Sequence, residues 1–166
     1  MLYKNILVPT DFSANSFQAY EFAKDLAVFH KSNLHLIHVI ELAGFESEDN
    51  FSYGYGTTFH EKYLEAEEKL RRFIHLVTVK DFSVYEVIRK GRTIDEILNY
   101  TKENNVELII VSAHGKSDSK SLYLGEITNQ ILKYSKVPVV CLRAADPVKS
   151  KYPVHFKYTL AENWVG

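Results

Sequence analysis

The segment from Val106 to Arg143, VELIIVSAHGKSDSKSLYLGEITNQILKYSKVPVVCLR, narrows the fold more than any other part of the chain. Glu107 to Val111 is a short, nearly continuous apolar run rich in Ile and Val, the pattern of a parallel strand buried on both faces. It stops in a polar, glycine-bearing loop, Ser112 to Ser121, and a helix-period segment follows from Gly125 to Tyr134. A second β-rich run, Val137 to Leu142, closes the unit. Strand, loop, helix and strand make one βαβ crossover, with its loop at the carboxyl edge of the sheet, where open α/β folds place ligands. One wall of any small-molecule site is therefore expected between Ser112 and Ser121.

The chain before this segment repeats the alternation. Asn5 to Pro9 reads as a central strand, and Asp11-Phe12-Ser13 turns the chain into a helix that Ser13 or Asn15 can cap, with Ala19, Phe22, Ala23, Leu26 and Ala27 at helical spacing. Asn33 to Val39 is strand two. An insert from Gly44 to Thr58 carries Phe45, Phe51, Tyr53 and Tyr55 among glycines and acids, which suits a surface loop and also a lid whose aromatics stack on a base. Helix two places Tyr63, Ala66, Leu70, Phe73, Ile74 and Val77 on one stripe, and Val84 to Ile88 is strand three. Thr93-Ile94-Asp95-Glu96 has the form of a capping box, followed by a stripe of Ile94, Ile97, Leu98 and Thr101. Five strands alternating with four helices predict an α/β fold, a doubly wound five-stranded parallel sheet with right-handed crossovers.

Composition bounds function mainly by exclusion. The 166 residues suit one domain, and 46% hydrophobic content supplies a core. Twenty Lys and Arg against 21 Asp and Glu leave a net charge of -1 with no block of one sign, so the electrostatic footprint of a nucleic-acid partner is missing. Cys141 is the single cysteine and sits in an apolar run, as a buried structural thiol would. No stretch approaches membrane-spanning length, and Met1 to Pro9 lacks the long apolar core of a signal peptide. A soluble cytoplasmic protein with no membrane partner is expected.

Two runs of residues carry a family resemblance. Ala113-His114-Gly115-Lys116-Ser117, then Leu124-Gly125 and a Val-Pro-Val-Val strand, resemble the C-terminal half of a universal stress protein domain, and Ile6-Leu7-Val8-Pro9-Thr10-Asp11-Phe12-Ser13 resembles its opening strand and turn. The likeness runs in order and spacing from about Lys4 to Arg143, so residues 1–143 are expected to form that domain and 144–166 an extension. It implies the Rossmann-like sandwich of the adenine-nucleotide alpha-hydrolase group, strand order 3-2-1-4-5, and a switch point between strands one and four. Asp11 and the Ser112 to Ser121 loop would then face each other across one crevice.

In nucleotide-binding members the phosphate loop runs Gly, two residues, Gly, nine residues, Gly, then Ser or Thr. Backbone N–H groups must come close to phosphate oxygens there, and a helix N-terminus adds its dipole. In this chain the pattern falls on Ser112, Gly115, Gly125 and Glu126, with Ile127 following at the head of helix four. Ser112 departs mildly, since its hydroxyl can still donate. Glu126 departs more, because its carboxylate suits the helix dipole yet competes with a phosphate for it. By the resemblance Asp11 would bond the ribose and the Val39 backbone would meet the adenine, while Pro9 and Thr10 shape the turn. Asp11 also reads simply as a turn residue before a helix. His114, expected to be the crevice's only histidine, suits either a phosphate or a backbone bond within its own loop.

Other chemistry finds less support. Gly115-Lys116-Ser117 is not a P-loop, since Ile110 occupies the position of its first glycine. His35 and His38, three apart on a strand, point to opposite faces and make no metal pair. The resemblance therefore implies a regulatory module that binds ATP or a related adenine nucleotide, with Mg²⁺ present only if nucleotide binds. Two alternatives stay open: a nucleotide-independent dimeric interaction protein with a degraded phosphate loop, and a slow ATP hydrolase. A homodimer through an edge strand at 137–142 is expected, together with an unknown regulatory protein partner. In the extension, Tyr152, Val154, Phe156 and Tyr158 alternate with polar residues and Pro153, so it is expected to pack on its own domain or on a partner subunit.

Overall fold

Every strand predicted from an apolar run is present. A computed structural model of the chain describes residues 3–41, 59–75, 83–115 and 124–143. The elements in order are β1 (Asn5–Pro9), α1 (Ala14–His30), β2 (Asn33–Ile40), α2 (Phe59–His75), β3 (Val84–Lys90), α3 (Thr93–Glu103), β4 (Leu108–Ser112), α4 (Glu126–Tyr134) and β5 (Val139–Leu142). They form one parallel sheet in the order β3-β2-β1-β4-β5. The insert at 44–58, Val77, the loop residues Lys116, Asp118 and Lys120, and the extension 144–166 lie outside the described residues.

Because side chains alternate along a strand, the central runs feed two cores at once. Ile6, Val8, Leu34, Leu36, Leu108 and Ile110 pack with Tyr20, Ala23 and Ala27 of α1 and Leu70 and Phe73 of α2. Leu7, Ile37, Ile109 and Val111 face the other way, against Ile94, Ile97 and Tyr100 of α3 and Ile131 of α4. Cys141 belongs to this second core, and burial pushes its thiol above the ordinary range, as fits a structural residue.

Ser13, not Asn15, caps α1: the Ser16 amide donates to its hydroxyl at 3.1 Å. Tyr20 joins the expected buried stripe of α1, while Phe22 and Leu26 are only partly buried. On α3, Leu98 is likewise partly buried and Tyr100 is fully part of the stripe. Two local expectations are overturned. The Thr93 to Glu96 capping box is not formed, because Thr93 is the first helical residue and the preceding Arg92 offers no side-chain cap. The acceptor comes instead from Glu41, just past β2, which takes the Thr93 amide at 2.7 Å. Hydrogen bonds from Thr93, side chain first and amide second, hold the Glu41 carboxyl below its usual range. Similarly, β5 starts at Val139 and not at Val137, because the Val137 amide is bonded to the Ser135 hydroxyl at 3.1 Å.

At the amino edge of the sheet, His35 is buried between β1, β3 and α3. Asn5 donates its amide nitrogen to the carbonyls of Asn104 and Asn105, so its oxygen accepts from Asn33 at 3.0 Å and from His35 Nε2 at 3.4 Å. The hydrogen of neutral His35 therefore sits on Nε2, and Nδ1 accepts from the Tyr100 hydroxyl at 2.8 Å. Burial lowers the His35 pKa from its ordinary 6.5. The folded state thus binds fewer protons than the unfolded one below that pH, and stability contributed by neutral His35 falls as pH drops through it. Urea midpoints should be lower at pH 5 than at pH 7.5, and His35→Gln should shrink that difference; an unchanged difference would refute the assignment.

Candidate functional site

β1 and β4 are neighbours, but the chain leaves them toward opposite faces, to α1 and to α4, and this divergence opens a crevice at their carboxyl ends. A cavity of about 430 Å³ occupies it. Nine of the ten residues expected at a site line its wall: Pro9, Thr10, Asp11, Val39, Ser112, Gly115, Gly125, Glu126 and Ile127.

The first wall is the turn after β1. The Thr10 amide continues the sheet by donating to the Ile37 carbonyl at 2.8 Å, and the Thr10 hydroxyl takes the Phe12 amide at 3.0 Å and meets the Ser16 hydroxyl at 3.0 Å. Asp11 accepts the Ser13 amide on Oδ1 at 3.0 Å, the short-range bond of an Asx turn. Phe12 follows with φ 63, a left-handed backbone that costs a residue with a Cβ roughly 1–2 kcal/mol. Its ring offsets this by packing on His38 and Phe73, with Lys69 Nζ 5.7 Å from the ring centre.

The second wall is the loop between β4 and α4. The Ala113 amide donates to the Leu142 carbonyl at 2.6 Å, and the Gly125 amide returns to the Ala113 carbonyl at 2.8 Å, closing the loop at its base. Buried Thr128, in the first turn of α4, donates its hydroxyl to the Ser112 carbonyl at 2.8 Å and seats the helix on the strand end. The Ser112 hydroxyl donates to the His114 carbonyl at 2.9 Å. That hydroxyl thus serves its own loop.

The two glycines have different surroundings. A Cβ on Gly115 would stand 2.6 Å from Asp11 Oδ2, so the two walls touch at this point and any larger residue there requires the carboxylate to turn aside. Gly125 has φ -58 and ψ 151, a backbone open to any residue, and among the described residues a Cβ there would meet nothing closer than the Ala113 oxygen at 3.5 Å, with the Gly115 nitrogen at 3.9 Å. The fold does not demand glycine at 125. Glu126 is exposed at the rim and pairs along its own helix with Gln130 at 3.1 Å.

His114 is the one expected residue that stands outside the cavity wall. It is buried, and among the described residues its Nε2 has no hydrogen-bond partner. The histidine that does line the crevice is His38, which shares it with Thr93 and Ile97 of α3. Sequence reasoning had placed His38 on the face opposite His35 without linking it to the turn after β1. Among the described residues no group of acids, histidines and cysteines could hold a metal ion, and no helix is long and apolar enough to cross a membrane.

Comparison with known proteins decides the family. The profile of the universal stress protein family matches residues 2–143. The chain belongs to the universal stress protein family. Among its relatives, Universal stress protein MJ0577 of Methanocaldococcus jannaschii is 28% identical over 156 residues, covering 86% of this chain and 96% of the relative. The solved structure of MJ0577 matches with a TM-score of 0.71 over 88% of this chain and 99% of that one. Two further solved structures share the fold. A universal stress protein in complex with cAMP has a TM-score of 0.59 at 20% identity, covering 85% of this chain and 97% of its own. The universal stress protein from Archaeoglobus fulgidus in complex with dAMP has a TM-score of 0.61 at 17% identity, over 85% of this chain and 98% of its own. This universal stress protein thus has the five-stranded parallel sheet and strand order of its family.

Proposed function

We propose that this universal stress protein is a regulatory module that binds an adenine nucleotide, ATP or a close relative, in the crevice between β1 and β4. The observation that carries the reading is Gly125, where a side chain would meet only ordinary contacts among the described residues. Glycine there is unnecessary for the backbone, and the room it leaves lies against the Gly115 nitrogen at the head of α4, where a phosphate would be received. The cavity opposite, with Asp11 and Val39 on its wall, has the size of a small-molecule site. Two proteins of the same fold are described in complex with cAMP and dAMP. In this reading the ribose lies at Asp11, the base at Val39, and Mg²⁺ enters on the polyphosphate. The nucleotide would act by favouring one of two states of a homodimer, paired along the β5 edge, toward a regulatory partner.

Glu126 and the internally bonded Ser112 hydroxyl favour the second reading, an interaction protein that works without nucleotide. One experiment separates the two. Nucleotide released from the purified protein by denaturation is identified, and Mg-ATP, AMP and cAMP are titrated calorimetrically into the native chain and into Glu126→Ser. Saturable binding by the native chain is expected. Absence of binding by the native chain, with binding gained in Glu126→Ser, would establish the second reading.

A further inference from the structure

The nucleotide reading depends on where the Asp11 carboxylate stands, and the residues on both sides of Asp11 are held by one residue from another strand. His38 Nδ1 lies 2.8 Å from the Thr10 carbonyl oxygen. A carbonyl only accepts, so Nδ1 carries the hydrogen and donates it. The same ring lies against Phe12, with centroids 4.3 Å apart and planes inclined by 39°. His38 therefore holds the carbonyl before Asp11 by a hydrogen bond and the side chain after it by ring contact, while Phe12 is kept in its left-handed backbone. His38 thus fixes where the Cα and Cβ of Asp11 stand, and with them the point from which the carboxylate is presented to the crevice.

From this geometry we infer that His38 is the positioning residue for Asp11 and sets how strongly the crevice reads ribose hydroxyls. The inference rests on the proposed nucleotide reading. The rest of the turn is held independently, by the Thr10 amide on Ile37 and by the Thr10 hydroxyl between Phe12 and Ser16. Removing the His38 donor should accordingly loosen Asp11 and leave the fold in place.

The test compares ATP with 2′,3′-dideoxyadenosine triphosphate on wild type, His38→Phe and His38→Asn, each first checked by thermal melting. Phenylalanine keeps the ring against Phe12 and loses the donor; asparagine keeps a donor near the Nδ1 position and loses the ring. Wild type is expected to favour ATP by about tenfold or more, the value of a hydrogen bond to a charged group. His38→Asn should keep most of that preference. His38→Phe should bring it to within about twofold of unity, a loss of discrimination that a uniform weakening of both ligands does not produce. If wild type prefers ATP and His38→Phe does too, the inference is wrong and the nucleotide reading stands. Should His38→Phe fail to fold, loss of the preference in well-folded His38→Asn would overturn the inference just as directly. No binding of either nucleotide by wild type would sink the parent reading and this one with it.

Discussion

Replacing Gly115 with alanine is expected to weaken both the fold and nucleotide binding, and to do so through Asp11. The new Cβ would stand 2.6 Å from Asp11 Oδ2, well inside the contact distance of carbon and oxygen. The carboxylate must turn away, and turning it loosens the bond by which Oδ1 takes the Ser13 amide ahead of α1. A local charge-assisted bond of this kind contributes about 1 kcal/mol, which in a chain of this size shifts the melting temperature by about 2–4 °C. Nucleotide affinity should drop by about tenfold or more, because the ribose loses its acceptor at the same time. The mechanism makes a sharper demand through a double-mutant cycle. In an Asp11→Ala background there is no carboxylate to collide with, so Gly115→Ala should cost almost no stability. Urea denaturation of the four proteins measures this, and an equal cost in both backgrounds would rule out the collision.

That contact also shows which parts of the molecule a sequence can reveal. The sheet was legible because its central strands, such as Ile6-Leu7-Val8 and Leu108-Ile109-Ile110-Val111, are apolar on both faces, and only a sheet covered on both sides accepts such runs. The crevice followed from the glycine-bearing loop after β4 and its counterpart after β1. What stayed hidden depends on partners far along the chain. Glu41 caps α3 from 52 residues away, so a locally plausible capping box at Thr93 lost to an acceptor that no local rule could see. His38 and Thr10 are 28 residues apart and meet because β1 and β2 pair in register, which puts Pro9 opposite Ile37. His114 stands beside Gly115 in sequence, yet the turn of the loop buries its ring outside the cavity wall. Ser112 lines the cavity as expected, but that its hydroxyl bonds the backbone carbonyl of His114 depends on how the loop turns, which residue type alone does not reveal.

Gly125→Ala should have the opposite profile to Gly115→Ala, a stable protein with a damaged site. The backbone at 125 is already one that alanine adopts, and the added methyl makes only ordinary contacts at 3.5 Å and beyond. Replacing glycine by alanine at the N-cap costs roughly 0.5–1 kcal/mol, and the stiffer unfolded chain returns about 0.4–1 kcal/mol, so the melting temperature should stay within roughly 2 °C of wild type. The methyl would nevertheless lie 3.9 Å from the Gly115 nitrogen, over the place where a phosphate oxygen would approach that amide and the head of α4. Loss of a hydrogen bond to a charged phosphate is worth about 1.5–3 kcal/mol, or about 10- to 100-fold in affinity for ATP. Adenosine, which has no phosphate, should bind Gly125→Ala as it binds wild type. Calorimetric titration with both ligands reads the contrast. Equal losses for ATP and adenosine would mean that the methyl disturbs the whole crevice, and undiminished ATP affinity would mean that the phosphates do not lie at Gly125. Only a selective loss of the phosphorylated ligand, in a protein that melts like wild type, gives this glycine a role in recognition that the fold itself does not require.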